Sequence, residues 1–250
     1  MSVLKLLTVN WQLATGNWQL LIPFLGPADR FPPLDQALDE PDGLLAAGGG
    51  LSVDRLVEAY SHGIFPWYSA GDPVLWWSPD PRMVLAPREL HVSRSLRKRL
   101  RRRDYRVTAD TAFELVLREC AAPRPGDAGT WLLPDMRRAY LAMHRAGLAH
   151  SIEVWMGDAL AGGIYGVALG RMFFGESMFS RRTDGSKIAI AYLAAQLDRW
   201  GFPMIDCQME TEHLVSLGAV AISRRRFAAD VARLVKEPAP EWILDADLAL

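Results

Sequence analysis

Two acidic residues stand inside short apolar segments of the chain, where a carboxylate is unfavourable. Glu176 lies in the stretch 162–180, among Phe and Met residues, and Asp206 lies in the stretch 204–208. Both stretches are typical of β-strands. A buried carboxylate costs several kcal/mol unless it is hydrogen-bonded or paired with a cation. The two residues therefore predict a polar site built on a sheet.

Two residues near Asp206 have reactive side chains. Cys207 alternates in facing with Asp206 and Gln208 along the strand, which favours an inert buried thiol over a nucleophile. His213 opens a short helix, but no second histidine or acid is placed for a triad, which favours packing or capping. The five histidines show no metal-ligand spacing.

A basic loop follows the strand that carries Glu176. Residues 181–187 have the sequence Arg-Arg-Thr-Asp-Gly-Ser-Lys and precede a predicted helix. Free N–H groups and the helix dipole favour an anion site there, and a basic surface turn has the same composition. The spacing of Arg182, Gly185 and Lys187 resembles the acyl-CoA-binding loop of acetyltransferases, except that a lysine would crowd a pyrophosphate. This difference favours another anionic acyl donor.

The segment 93–103 predicts a basic helix with two leucines on one side. Asp104 is the only acid near its cations. A solvated surface helix is one interpretation, but such helices usually interleave acids for pairing. Unpaired arginines in a nearly neutral protein favour contact with a phosphate backbone. The candidate phosphate-binding residues are Arg94, Lys98, Arg101 and Arg102.

Tryptophans form a third cluster of candidates. The adjacent pair Trp76 and Trp77 is more typical of a core. Trp67 and Trp131 stand in loops rich in Pro and Gly, where an indole ring can serve as a stacking platform for a nucleobase.

Composition limits the class of protein. Half of the 250 residues are hydrophobic and the net charge is −1, which allows a packed core and argues against an overall polyanion binder. Two cysteines without a CxxC pair argue against a disulfide framework or a structural zinc site, and they fit a reducing cytoplasm. Residues 1–26 lack the apolar run of a membrane span and the pattern of a signal peptide, so we expect a dispensable, disordered leader.

The rest of the chain divides into two parts. Residues 27–87 are rich in Pro, Gly, Trp and Asp and predict a small, turn-rich N-terminal domain with one helix opened by Ser52. Its triple glycine at 48–50 lacks the Lys-Ser/Thr of a phosphate loop. Residues 88–250 alternate helix and strand patterns, with three consecutive strands between 152 and 180. We predict an α+β chain whose C-terminal domain has a mixed, mainly antiparallel sheet flanked by helices.

Taken together, these segments resemble the bacterial leucyl/phenylalanyl-tRNA–protein transferases. The resemblance spans residues 31–227. It rests on the segments 43–49, 63–67, 71–82, 129–131, 150–155, 162–180, 205–208 and 213–219. It implies an acetyltransferase-like catalytic domain that moves leucine or phenylalanine, and also methionine, from aminoacyl-tRNA to an N-terminal Arg or Lys of a protein. That product is a degradation signal in the bacterial N-end rule pathway.

The resemblance also implies roles for individual residues. Gln208 contacts the attacking amine, Asp206 orients Gln208, and Glu176 lies near the acceptor, where its charge favours an N-terminal cation. The expected aminoacyl pocket consists of Ile164, Phe173, Ile190 and Ile205. The expected contacts of the tRNA are Trp67 and Trp131 around the terminal adenosine, and Arg94, Lys98, Arg101 and Arg102 on acceptor-stem phosphates. The donor ester is already activated, so no cofactor and no metal are implied, and we expect a cytoplasmic monomer without membrane attachment.

Two other interpretations remain open. An acyl-CoA-dependent N-acetyltransferase would have the same fold, although Lys187 and the basic helix argue against it. An RNA-binding module would need the arginines and tryptophans but not Glu176, Asp206 or Gln208. Saturable use of acetyl-CoA without tRNA would support the first. Loss of transfer in Asp206→Ala with intact tRNA affinity would exclude the second.

Overall fold

The computed structural model describes residues 22–123, 130–248 and 250. This part of the chain forms two mixed sheets flanked by seven helices. The strands are β1 (Phe24–Leu25), β2 (Leu44–Gly48), β3 (Phe65–Pro66), β4 (Leu75–Trp77), β5 (Arg82–Leu85), β6 (Arg106–Ala109), β7 (Ala149–Met156), β8 (Ala159–Leu169), β9 (Met172–Ser180), β10 (Ile205–Gln208) and β11 (Val220–Ile222). The helices are α1 (Val53–Ser61), α2 (Arg94–Arg102), α3 (Phe113–Ala121), α4 (Pro134–Arg145), α5 (Gly185–Arg199), α6 (Glu212–Ser216) and α7 (Arg224–Leu234). The predicted α+β class is confirmed.

A four-stranded sheet in the order β1-β2-β4-β3 occupies the N-terminal part of the described chain. β1 runs parallel to β2, and the other pairs are antiparallel. Ser52 caps α1 by accepting a hydrogen bond from the backbone N–H of Arg55, as predicted. The one predicted helix of the segment 27–87 is present, and the short strands around it were not predicted, because a strand such as β3, with two residues, gives no periodic pattern.

The seven-stranded sheet has the order β11-β5-β10-β9-β8-β7-β6. Its neighbouring pairs are antiparallel except β9 and β10, which run parallel. The predicted mixed, mainly antiparallel sheet is confirmed. β5 comes from the segment 27–87, so the larger sheet takes in a strand from the predicted N-terminal domain.

Two hydrophobic cores lie on the two faces of the seven-stranded sheet. Side chains alternate along β9, so Phe173 belongs to one core and Phe174 to the other. α5 covers the Phe173 face, while α3, α4 and the N-terminal sheet cover the Phe174 face. A Cβ on Gly185 would lie only 2.4 Å from the carbonyl oxygen of Ala161, so close packing of α5 on β8 requires glycine there.

The predicted leader lies mostly outside the described residues. Residues 1–21 are not among them, whereas Phe24 and Leu25 form β1 and pair with β2. No helix in the described part of the chain has the length and apolar character needed to cross a membrane.

Candidate active site

Asp206 on β10 and Arg82 on β5 form a buried ion pair. Arg82 Nε donates to Asp206 Oδ1 and Nη2 donates to Oδ2, both at 2.7 Å. The side chains are 1% and 0% exposed, respectively. The guanidinium also donates to the carbonyl oxygen of Gly63 at 3.1 Å and packs against the rings of Phe65 and Phe227. This two-point contact holds the carboxylate in one orientation.

Gln208 ends β10 and folds back on Asp206. The pairing of β10 with β5 shifts between these two residues, and Gln208 has a left-handed backbone with φ of 57°. Such a conformation costs about 1–2 kcal/mol for a residue with a Cβ. The Gln208 backbone N–H donates to Asp206 Oδ1 at 3.0 Å, and its side-chain Nε2 donates to Oδ2 at 3.2 Å. Asp206 thereby fixes both ends of Gln208.

Glu176 lies at a bulge of β9. The register of β9 against β8 shifts at this residue, and a bulge of this kind re-aims a side chain. The carboxylate accepts hydrogen bonds from the hydroxyl of Tyr60 on α1, at 2.7 Å, and from that of Tyr140 on α4, at 2.5 Å. α1 and α4 thus each supply one hydrogen-bond donor to the Glu176 carboxylate on β9.

Glu176 titrates near neutral pH. Burial raises the pKa of its carboxyl group to about 7, against the hydrogen bonds from Tyr140 and Tyr60, which lower it. The charge of Asp206 raises this pKa further, and that of Arg82 lowers it. Burial and the charge of Glu176 raise the pKa values of Tyr60 and Tyr140 well above the ordinary value, so both phenols stay protonated.

The parallel pairing of β9 with β10 brings Glu176 near Asp206, whose charge acts on the Glu176 carboxyl group. Phe174 pairs with Asp206, and Glu176 and Gln208 each lie two residues further along their strand. Neighbouring strands are about 4.8 Å apart. A carboxyl group with a pKa near neutrality therefore lies on the strand next to the one that carries the oriented amide.

The residues of the expected aminoacyl pocket lie together between α5 and the sheet, with Ile190 contributed by α5 itself. They are Ile164, Phe173, Ile190 and Ile205, all buried in one hydrophobic cluster. Phe173 pairs with Ile205 across β9 and β10, one step before the Phe174–Asp206 pair. The cluster thus ends next to Asp206, at the start of the polar site. Its role as a donor pocket stays a prediction.

The tryptophans fall into two groups. Trp76 and Trp77 are buried in the N-terminal core, as the core interpretation expects. Trp67 and Trp131 are half-buried at the edge of that core, and Trp67 meets Trp77 edge-on with ring centroids 5.7 Å apart. Gly129, which shares the loop of Trp131, lies outside the described residues. Trp67 and Trp131 are only partly exposed, and their stacking role stays a prediction.

α2 presents its cations to solvent. Leu96 and Leu100 are buried, and Ser93 caps the helix. Arg99 pairs with Asp104. Five exposed cations of this helix form no ion pair within the described residues; they are Arg97 and the four predicted phosphate-binding residues, Arg94, Lys98, Arg101 and Arg102.

Sequence reasoning missed three polar side chains of the site, namely Arg82, Tyr60 and Tyr140. Arg82 carried a usable signal, because it is a charge at the start of an apolar segment, as Glu176 is. The tyrosines lie on the buried sides of α1 and α4 and have no such signal.

The remaining reactive residues do not join the hydrogen bonds of this site, although Cys207 lies between Asp206 and Gln208 in the sequence. Burial raises the pKa of the Cys207 thiol, which fits an inert residue. His213 is exposed on α6, and its pKa is lowered by partial burial and by Lys187. Arg182 and Lys187 are exposed at the start of α5. No group of three His, Cys, Asp or Glu within the described ranges is arranged to hold a metal ion.

Sequence comparisons match most of this chain. Residues 84–232 match the family described as leucyl/phenylalanyl-tRNA protein transferase, and residues 49–80 match the N-terminal domain of the same family. The L-PGS structure from Bacillus licheniformis is a distant neighbour, with 12% identity and a TM-score of 0.40 over 73% of this chain and 70% of its own.

Curated relatives carry the name leucyl/phenylalanyl-tRNA–protein transferase. One from Nitrosospira multiformis is 58% identical over 90% of this chain and 98% of its own length. Another from Chromobacterium violaceum is 56% identical over 90% and 97%, respectively. A third from Nitrosomonas europaea is 57% identical over 86% and 92%. The chain therefore belongs to the leucyl/phenylalanyl-tRNA–protein transferase family and is an aminoacyltransferase.

Proposed function

We propose that this chain transfers leucine, phenylalanine or methionine from aminoacyl-tRNA to the α-amino group of a protein that begins with Arg or Lys. The names of its relatives support the donor class. The carboxyl group of Glu176 supports a cationic acceptor, because carboxylates bind ammonium and guanidinium groups. The product is a new peptide bond and an N-terminus that marks the protein for N-end rule degradation.

This reaction needs little from the enzyme beyond geometry. The donor is an ester, and the nucleophile is an α-amine whose pKa of about 8 leaves a neutral fraction at pH 7. The site must hold the two reactants together, stabilise the oxyanion and receive one proton.

The contact between Asp206 and Gln208 is the observation that carries the proposal. A carboxylate only accepts hydrogen bonds, so Gln208 must turn its amide nitrogen toward Asp206, as in the 3.2 Å contact. The amide oxygen is then left to accept an N–H of the attacking amine. Arg82 fixes Asp206 with two hydrogen bonds, so the amide cannot flip without losing its partner. Gln208 positions the amine, and Asp206 orients Gln208.

The other substrate contacts follow from the placement of the surrounding residues. The cluster under α5, which includes Ile164 and Phe173, would take the aminoacyl side chain. Trp67 and Trp131 would stack on the terminal adenosine, and the exposed cations of α2 would bind acceptor-stem phosphates. Such phosphate contacts position a tRNA without selecting its sequence.

The direct test is transfer of labelled leucine from Leu-tRNA to a peptide that begins with Arg. A peptide that begins with Ala is the control and should accept little label. Met-tRNA and Phe-tRNA as donors, and a peptide that begins with Lys, test the rest of the proposed range. Saturable labelling by acetyl-CoA in the absence of tRNA would support the acetyltransferase alternative instead.

Gln208→Ala tests the site itself. It removes the amide but leaves the Arg82–Asp206 pair intact, so we expect a loss of transfer of roughly 100-fold with unchanged tRNA affinity, as for a lost positioning group. Cys207→Ala changes the neighbouring, half-buried residue and is the matched control, so it should retain transfer. Wild-type transfer by Gln208→Ala would refute the assignment of Gln208.

A further inference from the structure

The Glu176 carboxyl group and the hydroxyl groups of Tyr60 and Tyr140 form a closed ring of hydrogen-bond contacts. Tyr60 Oη lies 2.7 Å from Glu176 Oε1, Tyr140 Oη lies 2.5 Å from Oε2, and the two phenolic oxygens are 2.8 Å apart. Each distance is that of a hydrogen bond. We name these three side chains the carboxyl–phenol ring.

The carboxyl–phenol ring is complete only when Glu176 carries a proton. Two neutral phenols supply two protons, and an ionised carboxylate supplies none. When both phenols donate to ionised Glu176, the 2.8 Å contact between the phenolic oxygens has no proton. A protonated carboxyl group donates to one phenol, which donates to the other, which donates back to the carboxyl group. The geometry favours a site that takes up one proton.

Among the titratable groups at this position, Glu176 is the one that binds the additional proton. The groups that face it are Tyr60 on α1, Tyr140 on α4, Tyr165 on β8, Arg82 on β5 and Asp206 on β10. Burial raises the pKa values of the three phenols, so they do not ionise at neutral pH. Asp206 accepts two hydrogen bonds from the guanidinium of Arg82. Burial raises the pKa of Glu176 to about 7, so this carboxyl group can take up a proton near neutral pH.

We propose that Glu176 takes up the proton that the acceptor amine loses as it attacks the aminoacyl ester, with Tyr60 and Tyr140 as positioning residues for its carboxylate. The inference rests on the proposed function and adds the route of the proton. The amine nitrogen bonds to the carbonyl carbon, and the electron pair of C=O moves to its oxygen. One N–H proton passes to Glu176. The intermediate then collapses, the bond to the ribose oxygen breaks, and Glu176 returns the proton to that oxygen.

Gln208 and Glu176 have complementary tasks in this step. The amide oxygen of Gln208 accepts one N–H of the amine but is too weak a base to remove the proton. A carboxyl group whose pKa burial raises to about 7 is well matched to that transfer at neutral pH. Both residues belong to one site, because Glu176 interacts electrostatically with Asp206 on the adjacent parallel strand and Asp206 holds the amide of Gln208.

The pH dependence of transfer tests this route. In the wild type both the amine and Glu176 must be deprotonated, so the logarithm of the rate should rise with a slope of about two below pH 7. In Glu176→Gln the slope should fall to about one, because the amine alone titrates, and the rate should fall at least tenfold. A slope that stays near two in Glu176→Gln would overturn the proposal.

Tyrosine variants provide a readout that a merely structural role would not change. Tyr60→Phe and Tyr140→Phe each remove a donor to the carboxylate, so each should raise the pKa of Glu176 by about one unit. The infrared band of the protonated carboxyl group, assigned by its loss in Glu176→Gln, measures this pKa without any substrate. Tyr165→Phe is the matched control, because the buried Tyr165 hydroxyl has no hydrogen-bond partner among the described residues. The Glu176 carboxyl group should titrate in Tyr165→Phe as it does in the wild type.

The two readouts separate the proposals. If the wild type transfers leucine but the tyrosine variants titrate as Tyr165→Phe does, the carboxyl–phenol ring has no role and the proton route is wrong. If the wild type fails to transfer leucine to the Arg peptide, the proposed function is wrong, whatever the infrared titration shows.

Discussion

The indole ring of Trp242 stacks on the phenyl ring of Phe173, with centroids 5.7 Å apart and an angle of 15° between the planes. Trp242 also stacks on His150, at 4.0 Å, and packs against Trp200 at the end of α5. Asp245, three residues later, pairs with Arg199 and bonds the side chain of Gln196. The C-terminal segment is thereby fixed behind a residue of the expected donor pocket.

Trp242→Ala should weaken use of the aminoacyl donor. Loss of the stacked ring frees Phe173, so we expect the KM for Leu-tRNA to rise several-fold while the KM for the acceptor peptide stays unchanged. The free energy of unfolding should fall by about 2–3 kcal/mol, less than for a fully buried tryptophan. Steady-state transfer kinetics and urea unfolding measure the two effects. Trp155→Ala, a half-buried tryptophan bonded to Thr108 on the sheet edge, should lower stability without raising the KM. If the KM for Leu-tRNA rose equally in Trp242→Ala and Trp155→Ala, Trp242 would have no specific role in donor binding.

Removal of Arg82 should destabilise the fold as well as the site. Arg82→Ala leaves the buried carboxylate of Asp206 without its cation, and such a loss costs about 3–5 kcal/mol. Arg88→Ala removes an exposed arginine next to Glu89 and should change stability by less than about 0.5 kcal/mol. Urea unfolding of both variants makes the comparison. A small effect in Arg82→Ala would mean that water or another cation replaces the guanidinium.

Stability should depend on the ionisation of Glu176. Its pKa of about 7 in the folded chain lies above the ordinary value of 4.5, so between these pH values the folded state binds more protons than the unfolded state. The stability that this proton gives is present below pH 4.5 and is lost as pH rises through 7. The free energy of unfolding of Glu176→Gln, relative to that of the wild type, should increase by roughly 2–3 kcal/mol as the pH rises from 4.5 to 8. Urea unfolding across this range tests the sign, and exposed Glu114→Gln should run parallel to the wild type.

Long elements with local signals could be predicted from the sequence. β9 has the bounds Met172–Ser180 that its apolar run indicates, and α2 lies within the predicted basic helix 93–103 with its two leucines buried. Glu176 and Asp206 were found because a charge in an apolar strand is a local anomaly. Each of these inferences uses residues that are neighbours in the sequence.

The partners of the two acids could not be predicted, because no local pattern marks them. Arg82 is separated from Asp206 by 124 residues, and Tyr60 from Glu176 by 116. Tyr60 is one of several apolar positions on the buried face of α1, so its hydroxyl bond depends on how α1 packs against β9. The short strands of the N-terminal sheet likewise depend on tertiary pairing.

The exposed cations of α2 provide a test of the tRNA-binding surface. Arg94→Ala combined with Arg101→Ala removes two positive charges that make no ion pair within the described residues. If both contact phosphates, the KM for Leu-tRNA should rise at least tenfold, and the slope of the logarithm of affinity against that of salt concentration should shrink by about two. Arg88→Ala combined with Arg225→Ala removes two exposed arginines from elsewhere on the surface and controls for net charge. Transfer at low salt should recover in the α2 variant, because the reacting groups are untouched. A salt slope equal to that of the control would place the tRNA on another surface.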